Sequence, residues 1–384
     1  MICEKKRCTG CEACKCICPK SAIKMEEDEY GNIYPKINDK KCIHCGLCKK
    51  VCPQLKENIE LKTPIRALAM YAKNNQKRGE STSGGVATIL YEKILKDNGV
   101  VYGISNVFGK IDNLHFIKIE NAKDLYKVKG SKYVHCYTDG IFLDIRQDLN
   151  NNRKVLFIGT PCQVSGLKSF LMKDYDNLIT TDIICHGVPS RKLLSDQINL
   201  LKIPINEVDQ ISFRDEKGFN FKIKKYDNRV IQKNESEVPY YRNFLQGNIY
   251  RENCYYCRYA RKERISDITI GDFWGLSHDS KIYDNELKGI SLVMPITEKG
   301  NELVNSILVD CEYDERTIDE ACAKNEQLNH PSAKTDKYDI YIENYPKLGF
   351  EKTMKKMVTP RDKIKIFIKK THLFKMYKKI RSKK

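Results

Sequence analysis

At 384 residues with 41% hydrophobic composition, the chain is long enough for two or three domains around a sizeable core. No apolar run approaches the length of a membrane-spanning helix, and the first residues lack the apolar segment of a secretory signal, so a cytoplasmic protein is expected. The formal charge of +18 is concentrated at the end: Lys352–Lys384 holds 14 Lys/Arg against one acid, a local +13 that leaves +5 for the rest, so no nucleic-acid partner is expected.

Seventeen cysteines without an export signal point to ligands in a reducing compartment rather than to disulfides. The first of them form a repeat. Cys8-x2-Cys11-x2-Cys14-x3-Cys18-Pro19 returns 34 residues later as Cys42-x2-Cys45-x2-Cys48-x3-Cys52-Pro53. Thiolates are soft ligands, and two-residue gaps let three of them reach three corners of one iron–sulfur cube. The fourth, on an adjoining helix before proline, ligates the other cluster. Crossed pairing then assigns Cys8, Cys11, Cys14 and Cys52 to one [4Fe–4S] cluster, and Cys42, Cys45, Cys48 and Cys18 to a second. A pair of zinc knuckles would need four ligands each but not this rhythm. Gly46 permits close backbone approach to the sulfurs. Cys3 and Cys16 fall outside the pattern and read as spare. Between the copies, Ile23–Ile37 alternates around Tyr30-Gly31-Asn32 as a hairpin. Residues 1–57 therefore form a two-cluster ferredoxin-type domain, and residues 56–64 read as a linker.

Beyond the linker the pattern becomes mixed, α+β or α/β. Ser81-Thr82-Ser83-Gly84-Gly85 precedes a helical run, Val86–Lys96, and offers hydroxyls and free N–H groups of the kind that hold phosphate. The plain alternative is an ordinary N-cap. A strand follows at Val100–Ile104. Lys129-Gly130-Ser131-Lys132-Tyr133 adds charge and an aromatic ring, or is a surface turn. Val155–Ile158 is a buried strand, Gly159-Thr160-Pro161-Cys162 turns into a helix, and Leu178–Ile184 is a second strand. This βαβ unit predicts a parallel pair. Cys185-His186-Gly187 follows, then a helix from Ser190. Ile211–Phe213 and Phe221–Ile231 read as a meander, and Ile265–Ile270 as a strand ending in Gly271-Asp272-Phe273-Trp274-Gly275.

Cys254-x2-Cys257 is half of a metal site, and Cys162 and Cys185 stand at strand ends where functional groups gather in open α/β sheets. The four read as ligands of a third cluster, or as two buried hydrophobes beside a pair that binds zinc or nothing. Cys136, Cys311 and Cys322 read as core. Residues 331–384 are expected as a helical basic tail. Its end mixes lysines with Ile364, Ile366, Phe367, Ile368, Leu373, Phe374, Met376, Tyr377 and Ile380, suited either to peripheral contact with an anionic membrane or to a solvated terminal helix.

Taken in order, STSGG (81–85), KGSKY (129–133), GTPCQ (159–163), ICHG (184–187), SFRD (212–215), CxxC (254–257) and GDFWG (271–275) resemble the coenzyme F420 hydrogenase/dehydrogenase beta-subunit family. The resemblance implies a flavin domain over 66–150 and 151–330, holding FAD near Ser81, Thr82, Ser83, Gly84, Gly85, Lys129, Gly130, Ser131, Lys132 and Tyr133. It also implies a third [4Fe–4S] cluster beside the flavin. The expected function is an iron–sulfur flavoprotein oxidoreductase that exchanges electrons with a soluble carrier or a partner redox subunit and hydride with a small-molecule substrate. Arg214 with its neighbour Asp215, and Asp272, are candidates to anchor that substrate or tune the flavin; His186 is a candidate proton donor. The competing reading is a non-catalytic electron-transfer subunit.

Overall fold

The computed structural model describes residues 1–106, 114–215, 218–283 and 289–370. The cysteine repeats fold as expected around two one-turn helices, Ala13–Cys16 and Leu47–Lys50. Both start on a left-handed residue, Glu12 (φ 61°) and Gly46 (φ 73°). Cys18 and Cys52 follow these helices rather than sitting on them; a helix of one turn is used up by the preceding cysteine. Strands β1 (Ile23–Glu27) and β2 (Ile33–Ile37) pair antiparallel, with Ile23 opposite Ile37.

Among the described residues eleven further strands follow: β3 (Ala67–Ala72), β4 (Val100–Ile104), β5 (Phe116–Ile119), β6 (Val155–Gly159), β7 (Leu178–Ile183), β8 (Val208–Ser212), β9 (Asn220–Lys225), β10 (Val230–Asn234), β11 (Ile268–Asp272), β12 (Ser291–Pro295) and β13 (Cys311–Arg316). Eight of them form one sheet in the order β13-β3-β12-β11-β7-β6-β4-β5. Its centre, β4-β6-β7-β11, is parallel, and its flanks are antiparallel. Central strands covered on both faces need apolar side chains on both, which is why Val155–Gly159 is buried throughout. One face packs under the helices Val86–Lys96 and Glu298–Ile307. The other packs under Ile141–Asn150 and Pro161–Leu171, and Ala13 and Val51 of the cysteine-rich domain join that second core.

Strands β8, β9 and β10 form the expected meander. β11 begins at Ile268, three residues later than the apolar pattern suggests. The preceding groups are committed elsewhere: the Ile265 carbonyl accepts from Lys168 Nζ (2.6 Å) and Asp267 accepts from the Thr180 amide (2.8 Å).

The expected linker and the head of the expected helical tail both pack onto the body. Residues 56–64 are held by Arg258, which donates to the carbonyls of Lys56 (2.9 Å) and Glu57 (3.1 Å). Asp336–Lys356, at the head of the expected basic tail, is a helix in the largest core cluster, interrupted at Gly349. Tyr338, Tyr341 and Tyr345 repeat at helical spacing, so they share a face and bury it. Tyr30 of the β1–β2 turn packs against Tyr341 and Tyr345, ring centroids 5.7 and 6.3 Å away, and donates to the Ile342 carbonyl (2.9 Å). Ile364 and Phe367 beyond it are exposed; Leu373, Phe374, Met376, Tyr377 and Ile380 lie outside the described residues. No helix among the described residues is long and apolar enough to cross a membrane.

Candidate active site and redox centres

Electrostatic contacts link Cys8, Cys11, Cys14 and Cys52 and, separately, Cys18, Cys42 and Cys48. Cys14 feels the charges of Cys11, Cys8 and Cys52, and Cys11 those of Cys8 and Cys52. Cys48 feels Cys18 and Cys42. The sets differ in depth: Cys8 and Cys52 are buried, whereas Cys45 is exposed. Cys3, expected to be spare, sits in hydrogen-bond contact with Cys8 and Cys52 and lowers both thiols.

The parallel centre of the main sheet positions a third group. β6 ends at Gly159, and Thr160 caps the helix Pro161–Leu171 in a capping box with Gln163. Cys162 therefore stands in the first helical turn, 3.2 Å from the Thr160 hydroxyl. β7 ends at Ile183, two residues before Cys185, and β11 ends on Asp272. These strands are neighbours, so their carboxyl ends share one edge. Cys254 and Cys257 bracket the end of a short helical turn, Glu252–Tyr256, facing the same place.

Burial pushes Cys162 up to about 11 and Cys254 up to about 12, and raises Cys185 and Cys257. Cys162 is raised further by Cys257, Cys185 by all three others, and Cys254 by Cys257 and Cys162. Four thiols whose thiolates would repel one another suit a thiolate-held cluster, whose positive irons would relieve that repulsion. Among the described residues no three His, Cys, Asp or Glu side chains close on a single metal-ion position.

The quartet lines a cavity of about 330 Å³. The same cavity takes in Ser81, Thr82, Ser83 and Gly85 on one side and Lys129 to Tyr133 on another. The two segments are tied together where Ser131 donates to Thr82 (3.1 Å). Gly84 does not line the cavity; a Cβ there would fall 2.3 Å from the Met70 carbonyl oxygen, so only glycine fits. Gly85 is left-handed (φ 86°) and leads into the helix Val86–Lys96 without a side-chain cap. The result is an uncapped helix N-terminus on a small-residue cradle, a natural seat for a diphosphate. Lys132 donates to the carbonyls of Val128 (2.7 Å) and Lys129 (2.9 Å), and burial lowers its ammonium to about 7. An anion beside it would restore that charge. These residues fit a dinucleotide such as FAD.

Arg214, Asp272 and His186 also line the cavity. Arg214 Nη1 donates to Asp272 at 2.5 Å, while Asp215 pairs with Lys222 instead. Arg214 Nε has no hydrogen-bond partner among the described residues. The guanidinium lies over Phe219 (4.9 Å), which stacks on the partly exposed Trp274. His186 is exposed, and its carbonyl accepts from Ser332 (2.7 Å).

Sequence reasoning passed over Arg251, which is only 1% exposed. It donates to the carbonyls of Cys8 (3.1 Å) and Ile33 (3.2 Å) and to Asn253 (3.1 Å), all neutral, and its Nη1 has no hydrogen-bond partner among the described residues. It acts electrostatically on Cys8, Cys162 and Cys254. Its signal was its place three residues before Cys254. Tyr259, beside Cys11, Cys162 and Cys257, was likewise missed.

Residues 152–321 match the family model for the C terminus of the coenzyme F420 hydrogenase/dehydrogenase beta subunit, and residues 7–55 match the 4Fe–4S dicluster domain. No curated protein matches the chain. Among solved structures, a chain of the F420-reducing [NiFe] hydrogenase complex from Methanosarcina barkeri is similar, at 17% identity and a TM-score of 0.47 over 78% of this chain and 94% of that one.

Proposed function

We propose that this chain, an iron–sulfur electron-transfer protein of the coenzyme F420 hydrogenase/dehydrogenase beta-subunit type, is a catalytic flavoprotein. In this reading FAD occupies the cavity, a third cluster is held by Cys162, Cys185, Cys254 and Cys257, and a small molecule exchanges hydride at the mouth. A partner redox subunit or a soluble carrier stands at the other end. The observation that carries the reading is one cavity bounded by the thiol quartet, the Ser81–Gly85 elbow, the Lys129–Tyr133 turn and the Arg214–Asp272 pair.

The cysteine sets also lie in a useful order. The exposed set comes first, then the buried ferredoxin set pressed against the helix that bears Cys162, then the quartet at the cavity. A bound flavin stores one or two electrons and so couples one-electron clusters to hydride exchange. The chain's own part is binding and charge. The helix N-terminus at Val86 and the Lys132 ammonium hold the diphosphate. Arg214, oriented by Asp272, presents a fixed positive charge with one unused N–H to an anionic substrate. His186 stands where a proton can pass between solvent and the mouth.

The decisive measurement is flavin and iron per chain after anaerobic purification. The expected result is one FAD and about twelve iron atoms, falling to about eight in Cys254→Ser. Intact clusters without flavin would favour the electron-transfer subunit.

A further inference from the structure

The two ferredoxin sites are not equally placed, and the difference bears on what delivers or removes electrons. The first is enclosed: Cys8 and Cys52 are buried, and a Cβ on Gly166 of the catalytic domain would fall 2.8 Å from that of Cys11. The second is open. Cys45 is exposed, and a Cβ on Gly46 would meet nothing within 4 Å.

The surface around the open site has a distinct charge. From Lys40 to Lys56 there are five lysines, at 40, 41, 49, 50 and 56, and no acid. Lys20, two residues past Cys18, adds to them. Lys20, Lys40, Lys41, Lys49 and Lys50 are all exposed, and among the described residues none is in an ion pair. Ile43 and Leu55 are 56% and 45% exposed within the same stretch. The chain apart from its last 33 residues carries only +5 in total, so this local +5 without a single acid is not the average surface. An exposed redox site whose own chain segment carries exposed lysines outside any ion pair and two exposed apolar side chains is the pattern of a short-lived, electrostatically steered protein contact.

We propose that this face docks a small acidic protein that carries one electron at a time. The proposal rests on the reading above for where the electrons go, and adds where they arrive and the charge of their carrier. The step is simple in balance: one electron leaves the carrier's centre and reduces the exposed [4Fe–4S] site by one, or the reverse, with no bond made and no proton required. A membrane or a polyanion would also meet the lysines, but neither has a use for a redox centre at the middle of the contact.

The test uses the full-length holoprotein and stopped-flow absorbance, with a reduced acidic two-cluster ferredoxin as the probe and dithionite as a small reductant for comparison. In the charge-reversed variant Lys40→Glu/Lys41→Glu/Lys49→Glu/Lys50→Glu, reduction by ferredoxin at low ionic strength should fall at least tenfold. The gap should close in 0.5 M salt (about 0.4 nm Debye length), and the dithionite rate should stay within twofold. The neutral variant with glutamine at the same four positions should fall between, which guards against damage from reversal alone. An unchanged ferredoxin rate in both variants, or an equal fall with both reductants, would overturn the proposal. Wild-type binding to anionic vesicles, lost in the variant while ferredoxin reduction persists, would reassign the face to a membrane. Both reductants reduce the clusters whether or not flavin is bound, so a chain that carries no flavin shows no flavin absorbance change with either reductant, whereas a wrong docking face shows as an unchanged ferredoxin rate.

Discussion

Lys132 shows how a single side chain can report on the cavity. Its folded pKa, lowered by burial to about 7, lies far below the 10.5 of an unfolded lysine. The folded state therefore releases the proton first. Its stability is undiminished by this group above pH 10.5, declines as pH falls from there toward 7, and below 7 bears a constant cost. A bound diphosphate reverses the preference, because the ammonium then has a partner. FAD affinity should fall as pH rises through 7, by up to about tenfold per pH unit, and Lys132→Met should bind weakly with a flat profile. Titrating flavin-free protein with FAD between pH 6.5 and 8.5 checks this; a flat wild-type profile would take Lys132 out of the cofactor site. At this scale legibility depended on repetition. The eight ferredoxin cysteines were readable from spacing, and the quartet from two strand ends and a Cys-x2-Cys pair. Arg251 and Cys3 were not, because one contact partner lies about 240 residues away and the other breaks the rhythm.

Among the elements, the helix Pro161–Leu171 connects the first ferredoxin site to the thiol quartet. Cys162 and Gly166 are four residues apart, so they lie on one face, one turn separated. Cys162 joins the quartet, while Gly166 admits Cys11 of the first ferredoxin site, whose Sγ would lie 3.1 Å from an added Cβ. Gly166→Val should cost about 1–3 kcal/mol from overpacking and disturb the buried ferredoxin site while sparing the exposed one. Thermal unfolding and electron paramagnetic resonance of the reduced clusters measure the two effects; a wild-type melting temperature and spectrum would show that the helix and the cysteine loop do not press together. The parallel strands β6 and β7 and the intervening helix were legible because a doubly covered strand is a continuous apolar run. The flank of the sheet was not. β3 reads Ala-Leu-Ala-Met-Tyr-Ala, with alanines of weak strand preference, and edge strand β13 reads Cys-Glu-Tyr-Asp-Glu-Arg, charged as exposed edges are.

On the scale of the whole molecule, the ferredoxin-type domain is built into the fold, where the sequence suggested a bead on a linker. Tyr30 packs on the helix Asp336–Lys356, Ala13 and Val51 join the core beneath the sheet, and Arg251 reaches from the α/β domain to the Cys8 carbonyl. Arg251 is buried with neutral hydrogen-bond partners, an arrangement that costs several kcal/mol unless opposite charge lies near. Four thiolates around a cluster supply that charge. Removing the clusters should thus destabilise both domains together, in a single unfolding transition seen alike by circular dichroism and tyrosine fluorescence. In Arg251→Met the holoprotein should lose stability, because the Cys8 and Ile33 carbonyls lose their donor at about 1–3 kcal/mol. The further loss on removing iron should then be smaller than in the wild type, by a coupling of about 0.5–3 kcal/mol. Equal losses in the two proteins would mean that Arg251 holds the domains together by hydrogen bonding alone. A smaller loss would mean that the charge of the clusters is part of what makes the two domains one body.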